Sequence, residues 1–219
     1  MNVTTELRRR LTEHLSAFDV RRRTEAKLRR AAVAVTIVDE AGGADLPGMP
    51  KHEVASRRAA LVLTRRARDL RDHPGQWALP GGSLDEGEGA EDTALRELHE
   101  EVGFDRDRSS VIGHLDDFVT RSGFVITPVV SWGGAAAVLE PNPEEVSSVH
   151  RIPVEEFLRT DAPLLEEIPE SDHPVLRMPV GDSWIAAPTA AILYQFREVA
   201  LLGRDTRVSH FEQPLFAWR

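Results

Sequence analysis

An α/β/α sandwich built on a mixed β-sheet is the fold class this sequence predicts, on three observations. Apolar, β-rich runs recur along the chain with segments of helical periodicity between them. The hydrophobic content of 41% and charged content of 29%, over 219 residues, are those of a globular protein with one sizeable core. Glycine and proline punctuate the elements, yet no internal repeat and no linker divides the chain.

Leu7, Leu11, Leu15 and Phe18 recur at helical spacing and predict an amphipathic helix near the start. Residues 1–30 carry nine Lys or Arg against four Asp or Glu. The arginines at 8–10 and 21–23 share no single face. A helix docked by its leucine stripe, with arginines toward water, is therefore favoured over a surface that attracts RNA or an anionic substrate. This segment reads as an N-terminal helical extension, and residues 31–219 as the domain.

Ala31–Val38 predicts a buried strand, residues 39–58 a loop with Gly42-Gly43, Pro47-Gly48 and Pro50, and Ala59–Thr64 a second strand. A glycine loop then leads into a helical segment that carries Glu97, Glu100 and Glu101 in its last turn and a half. Val111–Val119 and Phe124–Trp132 flank Arg121-Ser122-Gly123 as a hairpin, and Val146–Ile152 is another strand. Pro153–Leu158 begins a short helix, with proline at a tolerated first-turn position. The proline- and acid-rich segment 161–174 reads as a loop. Val175–Val180 and Ser183–Ala186 form a hairpin around Gly181-Asp182, and Thr189–Leu202 is the final helix.

The net charge of −9 argues against a nucleic-acid-binding domain. The absence of cysteine excludes disulfides, a thiolate metal site and a cysteine nucleophile. The longest apolar run, Ala31–Val38, is far below the ~20 residues of a membrane span. With no apolar signal-peptide core, a cytoplasmic protein is expected.

The chemistry is concentrated between Gly82 and Phe104. At helical spacing Glu97, Glu100 and Glu101 fall at i, i+3 and i+4 and share one face. They sit at a helix C-terminus, where the macrodipole disfavours anions. Arg96 alone cannot neutralise them, so the arrangement calls for a hard divalent cation. Ala94, Leu98 and Val102 form a second stripe that would face the core. Pro80-Gly81-Gly82 allows a tight turn and close backbone approach to a ligand, and a helix N-terminus beyond it would favour phosphate.

Gly82, five residues, Glu88, seven residues, then Arg96-Glu97-Leu98-His99-Glu100-Glu101-Val102-Gly103-Phe104 resembles the Nudix box at every fixed position. The resemblance implies a Nudix-type sandwich and an enzyme that hydrolyses a nucleoside diphosphate derivative with Mg²⁺ or Mn²⁺. It implies Glu97 and Glu101 as metal ligands, Glu100 as a further ligand, and structural roles for Glu88 and Arg96, with Arg96 holding the loop through a carboxylate such as Glu88. Glu145, in Asn142-Pro143-Glu144-Glu145, is the candidate outside the box for a further ligand or general base. Nudix enzymes are often dimers, so a homodimer is open.

Leu63-Thr64, Arg66-Ala67, Leu70-Arg71, His73, Gly75 and Pro80-Gly81-Gly82 are similar to the segment that precedes the box in coenzyme A pyrophosphatases. That likeness extends over roughly residues 31–193. It implies cleavage of coenzyme A or its derivatives to 3′,5′-ADP and a 4′-phosphopantetheine product. The basic residues suit the phosphates, since guanidinium groups bind phosphate in bidentate fashion. Arg66, Arg71, His73, Gly81 and Gly82 are the expected substrate-binding residues, with strand alternation separating Arg66 from Arg65. Leu79, His150 and Trp184-Ile185-Ala186-Ala187 depart from that subfamily's pattern. Another nucleoside diphosphate derivative, such as ADP-ribose or a dinucleotide, is the neighbouring alternative. A non-catalytic binder of the same fold is the distant one, because all box acids are present.

Overall fold

The apolar run beginning at Ala31 becomes the central strand of the main sheet. The computed structural model describes residues 1–25, 27–69 and 74–214. In chain order the strands are β1 (Arg29–Gly43), β2 (Lys51–Arg66), β3 (Trp77–Ala78), β4 (Gly81–Ser83), β5 (Val111–His114), β6 (Phe118–Val119), β7 (Phe124–Gly134), β8 (Val146–Pro153), β9 (Leu164–Ile168), β10 (Ser171–Val180) and β11 (Ser183–Ala186). The helices are α1 (Thr5–Ala17), α2 (Ala90–Val102) and α3 (Thr189–Phe196).

The main sheet runs β3-β2-β1-β7-β5, with β4 also paired to β1, β6 to β7 and β8 to β2. β1 and β7 are parallel, in a register that sets Ala34 beside Val129, and the other pairings are antiparallel. β9, β10 and β11 form a separate small antiparallel sheet.

Alternation along β1 divides its side chains between two cores. Ala32, Ala34 and Val38 pack with Val62 and Val129 against Ala94, Leu98 and Val102 of α2. Val35 and Ile37 pack with Leu61, Leu63 and Val130 in the larger core, which includes α1 and α3. Helices therefore cover both faces of a mixed sheet, and the expected α/β/α sandwich is the observed fold. Among the described residues no helix is long and apolar enough to cross a membrane.

The Leu7–Leu11–Leu15 stripe of α1 is buried in the larger core. Thr4 caps the helix, its hydroxyl oxygen accepting from the Leu7 N–H at 3.1 Å. The basic segment is largely paired within the chain. Arg9 bonds Glu6 and Glu13, while Arg22 and Arg30 reach the buried Asp117 at 3.0 and 3.4 Å.

Several boundaries differ from expectation. Residues 39–58 are mostly strand: β1 and β2 extend into a long bulged hairpin, with Ala41 opposite Ser56 and Gly43 opposite Lys51. These arms run past the core, so their polar sequence lacks apolar alternation, and Gly43, at φ 105°, serves a bulge. The segment 161–174 holds β9 and the start of β10, an edge ribbon whose exposed acids carry no burial pattern. Val111–Val119 is broken into two strands because Asp116 and Asp117 turn inward. The Arg21 and Arg23 N–H groups donate to them at 2.7 and 2.8 Å, and Gln195 and Thr127 donate at 2.9 and 2.8 Å. The last helix widens after Phe196 into a π-turn at Arg197–Leu201 that buries Glu198 against Arg197 and Arg204.

Leu11 is 1% exposed in the main core. Truncation to alanine is expected to cost about 2–5 kcal/mol, measured by denaturant unfolding. A loss below about 0.5 kcal/mol would show that α1 is dispensable to the core.

Candidate active site

α2 carries the site because two stripes of one helix face different partners. Ala94, Leu98 and Val102 are fully buried against the sheet, as the periodicity predicts. The turn carrying Glu97 and Glu101 faces β4. The helix ends at Gly103 in the left-handed conformation, φ 65°, and its N–H donates to the His99 carbonyl at 2.8 Å.

Gly81 and Gly82 are required by contact. They form β4 and pair with Val33 and Ala32 of β1. A β-carbon on Gly81 would strike the Ala32 carbonyl, and one on Gly82 would fall inside the Glu97 carboxylate. This corrects the expectation of a helix N-terminus beside the glycines. The helix starts only at Ala90, because residues 81–83 are taken up by strand pairing. The glycines instead bring β4 flat against the glutamates.

Glu97, Glu101 and Glu145 each place a carboxylate oxygen within 4.8 Å of the others. Glu101 is only 5% exposed. Burial, then the Glu97 charge, pushes its carboxyl up to about 8, against an opposing pull from the Gly81 backbone and Arg66. Burial also raises Glu97, with Arg96 opposing. Glu145 arrives from the loop before β8 through backbone contacts. The Glu140 and Asn142 N–H groups donate to the last α2 carbonyls, Val102 and Glu101, at 2.7 and 2.9 Å, and the Ala67 N–H donates to the Glu145 carbonyl at 2.8 Å.

Glu100 is not brought into this cluster. It is half-exposed and accepts from Arg96 Nη1 at 2.8 Å. The same Nη1 donates to Glu97 at 2.9 Å. Arg96 Nε and Nη2 grip Glu88 at 2.9 and 3.1 Å, and Nη2 also reaches the Ser83 carbonyl at 3.2 Å. Arg96, then Thr93, holds the Glu88 carboxyl down to about 2. Arg96 thus binds the loop before the helix and one edge of the carboxylate cluster.

The donor set fits a hard divalent cation. Three converging carboxylate oxygens, one on the buried Glu101 and one on the half-buried Glu97, both with raised pKa, form a site whose ionisation is costly until positive charge arrives.

A cleft of about 710 Å³ opens beside the glycines. Its walls include Arg29, Arg65, Arg66, Gly81, Gly82 and Trp184. Arg71 and His73 lie outside the described residues. Both Arg65 and Arg66 line the cleft, contrary to the expected separation, because the β2–β8 register shifts between them and breaks the alternation. The Arg65 guanidinium stacks 3.9 Å above Trp77. Trp77 in turn meets His150 edge-on at 4.9 Å. His150 is buried: Nδ1–H donates to the Ala44 carbonyl and Nε2 accepts from Ser148 Oγ, both at 2.8 Å. Burial lowers its pKa, so this departure from the subfamily pattern is a neutral support behind a cleft wall. Arg29, stacked 3.8 Å above Phe124, was missed by sequence reasoning. It stands at the end of a basic run, and only the parallel pairing of β1 with β7 brings it to the cleft.

The geometry agrees with what is known of similar proteins. The NUDIX domain model matches residues 27–175. The chain is 38% identical over 138 residues to an uncharacterized Nudix hydrolase, NudL, of Pectobacterium atrosepticum, covering 62% of this chain and 72% of that protein. It is also 38% identical over 106 residues to Nudix hydrolase 3 of Caenorhabditis elegans, covering 47% and 44% of the two chains. A crystal structure of a MutT/nudix family protein from Enterococcus faecalis shares the fold, with a TM-score of 0.52 at 16% identity over 80% of this chain and 63% of that one. Matched over most of its length and carrying the box on the helix and loop described above, the chain belongs to the Nudix hydrolase family.

Proposed function

We propose that this Nudix hydrolase cleaves the diphosphate bond of coenzyme A or its derivatives, with a divalent cation, Mg²⁺ or Mn²⁺, held by Glu97, Glu101 and Glu145. The observation that carries the reading is the convergence of these three carboxylates within 4.8 Å, beside an arginine-lined cleft. When bound, the cation supplies Lewis-acid chemistry, offsetting charge that develops on the phosphoryl oxygens and making water a better nucleophile.

The chain's own residues do the positioning. The flat backbone of Gly81-Gly82 lets a diphosphate approach the carboxylates without meeting a side chain. Arg66, whose charge already acts on Glu101, is placed to hold a phosphate oxygen in the cleft. Glu145 serves as a ligand or as the base that takes the proton from water. Arg96 and Glu88 fix the loop and leave Glu100 at the edge, where it tunes Arg96. Water oxygen bonds to phosphorus as the bridging P–O bond breaks, giving 3′,5′-ADP and a 4′-phosphopantetheine product. Coenzyme A is favoured over other nucleoside diphosphate derivatives by the Leu63–Gly82 segment and by the cationic wall formed by Arg29, Arg65 and Arg66.

The test is a panel of coenzyme A, acetyl-coenzyme A, ADP-ribose and a diadenosine polyphosphate with Mg²⁺, products identified by mass. Coenzyme A is expected to turn over best; turnover of ADP-ribose with coenzyme A untouched would sink the assignment. Glu101→Gln is expected to lower turnover by at least about a hundredfold, since removing even an outer partner of a metal ligand costs about 10–100-fold. Near-parental activity in that variant would contradict the ligand assignment.

The raised Glu101 pKa sets a pH dependence. Between its ordinary value of 4.5 and about 8 the folded protein keeps a proton that the unfolded chain releases. Stability therefore falls as pH rises through that window. Thermal melts in EDTA from pH 5 to 8 are expected to show this decline, a smaller decline in Glu101→Gln, and its reversal by Mg²⁺ at pH 8 in the parent only.

A further inference from the structure

Trp184 lies on β11, beyond residues 27–175 that match the family domain. It is 41% exposed in a chain that buries most of its large apolar side chains. The core does not need it: its neighbour Ile185 points the other way and is fully buried. An indole left open in this way is one of the features that mark a binding surface.

Its surroundings say which face is in use. Trp184 sits opposite Pro179, so Arg177 is its diagonal neighbour across the β10–β11 pair. The Arg177 guanidinium lies 4.2 Å from the ring centroid and is itself pinned by Glu166 at 2.5 Å. Trp184 lines the cleft, whereas Arg177 is absent from its described lining. Arg177 covers one face of the ring, so the exposure of the indole falls on the rest of it, which borders the cleft. Ala31, Val33 and Ile126 also line the cleft and give it apolar surface besides the indole.

We propose that Trp184 is the stacking platform for the heteroaromatic base of the substrate, so that the small β9–β10–β11 sheet selects nucleoside diphosphate derivatives over diphosphates without a base. This assignment rests on the hydrolase reading of the same cleft. The base stacks on the indole with its phosphates directed toward Gly82 and the carboxylates. Arg177, which does not touch the substrate, is a positioning residue that holds the indole upright.

AMP and ribose 5-phosphate differ only in the base, and binding of each to the full chain in EDTA can be measured by calorimetry. The parent is expected to prefer AMP, and Trp184→Ala to weaken AMP about tenfold, the size of one stacked base, with ribose 5-phosphate unchanged. Trp184→Phe keeps a planar face and should bind AMP within about threefold of the parent, while Trp184→Leu, apolar but not planar, should match alanine. In turnover of the panel substrate used best, the loss should fall on KM with kcat preserved. Equal binding of AMP and ribose 5-phosphate by the parent, parental AMP affinity in Trp184→Ala, or equal losses in the phenylalanine and leucine variants would each overturn the assignment. Trp184-dependent AMP binding without turnover of any panel substrate supports the platform and removes the hydrolase reading; turnover indifferent to Trp184 retains that reading and removes the platform.

Discussion

The interaction on which the molecule turns is repulsion among carboxylates that the fold will not let separate. At 4.8 Å two unit charges repel by about 3 kcal/mol in an effective dielectric of about 20. Desolvation of Glu101 is the larger part of the cost of its charge, and the Glu97 repulsion comes on top of it. The Gly81 backbone and Arg66 relieve it only in part, and α2 cannot turn away, because Ala94, Leu98 and Val102 lock the helix in rotation. The strain falls on protonation, and Glu101 holds a proton where an ordinary glutamate would not. The site is thus poised toward cations by the same packing that stabilises the domain.

Around this constraint the neighbouring elements divide the work. β4 contributes absence: two glycines without side chains, paired to β1 and pressed against Glu97. Arg96 contributes charge, spread over Glu88, Glu97 and Glu100, so that one guanidinium joins the loop before the helix to the rim of the cluster. The cleft walls come from segments far apart in sequence. Arg29 is carried there by β1, Arg65 and Arg66 by β2, and Trp184 by β11.

What could be read from residues alone follows from whether the signal was local. The apolar α2 stripe and the Arg96–Glu88 contact lie within about 23 residues at fixed spacing and are found as the sequence implies. The glycines in the same stretch are instead taken up by strand pairing, and Glu100 leaves the glutamate cluster. The sandwich was legible because buried strands advertise themselves by apolar runs. The polar arms of β1 and β2 and the acidic edge strand β9 were not, since strands that bury nothing carry no such pattern. Arg29 was hidden because a parallel pairing joins residues almost a hundred positions apart. Arg65 was hidden by a register shift that propensity cannot foresee. Glu100 and Glu101, adjacent in an acidic run, end in opposite environments; helical geometry separates them by about 100°, enough for one to face β4 and the other solvent.

Glu145 joins the helix by backbone bonds from Glu140 and Asn142 to the last carbonyls of α2. These two bonds use no side-chain identity, but the Asn142 side chain adds its own: its amide donates to the Glu145 carboxylate at 3.4 Å and accepts from the Glu144 N–H at 3.2 Å. Chain length is another matter. A single inserted or deleted residue between Asn142 and β8 would slide Glu145 out of register with a helix end that cannot move to meet it. Evolution of this connection is therefore rigid in count and, at Asn142, constrained in composition, which makes its length and that asparagine together the mark of the three-carboxylate site.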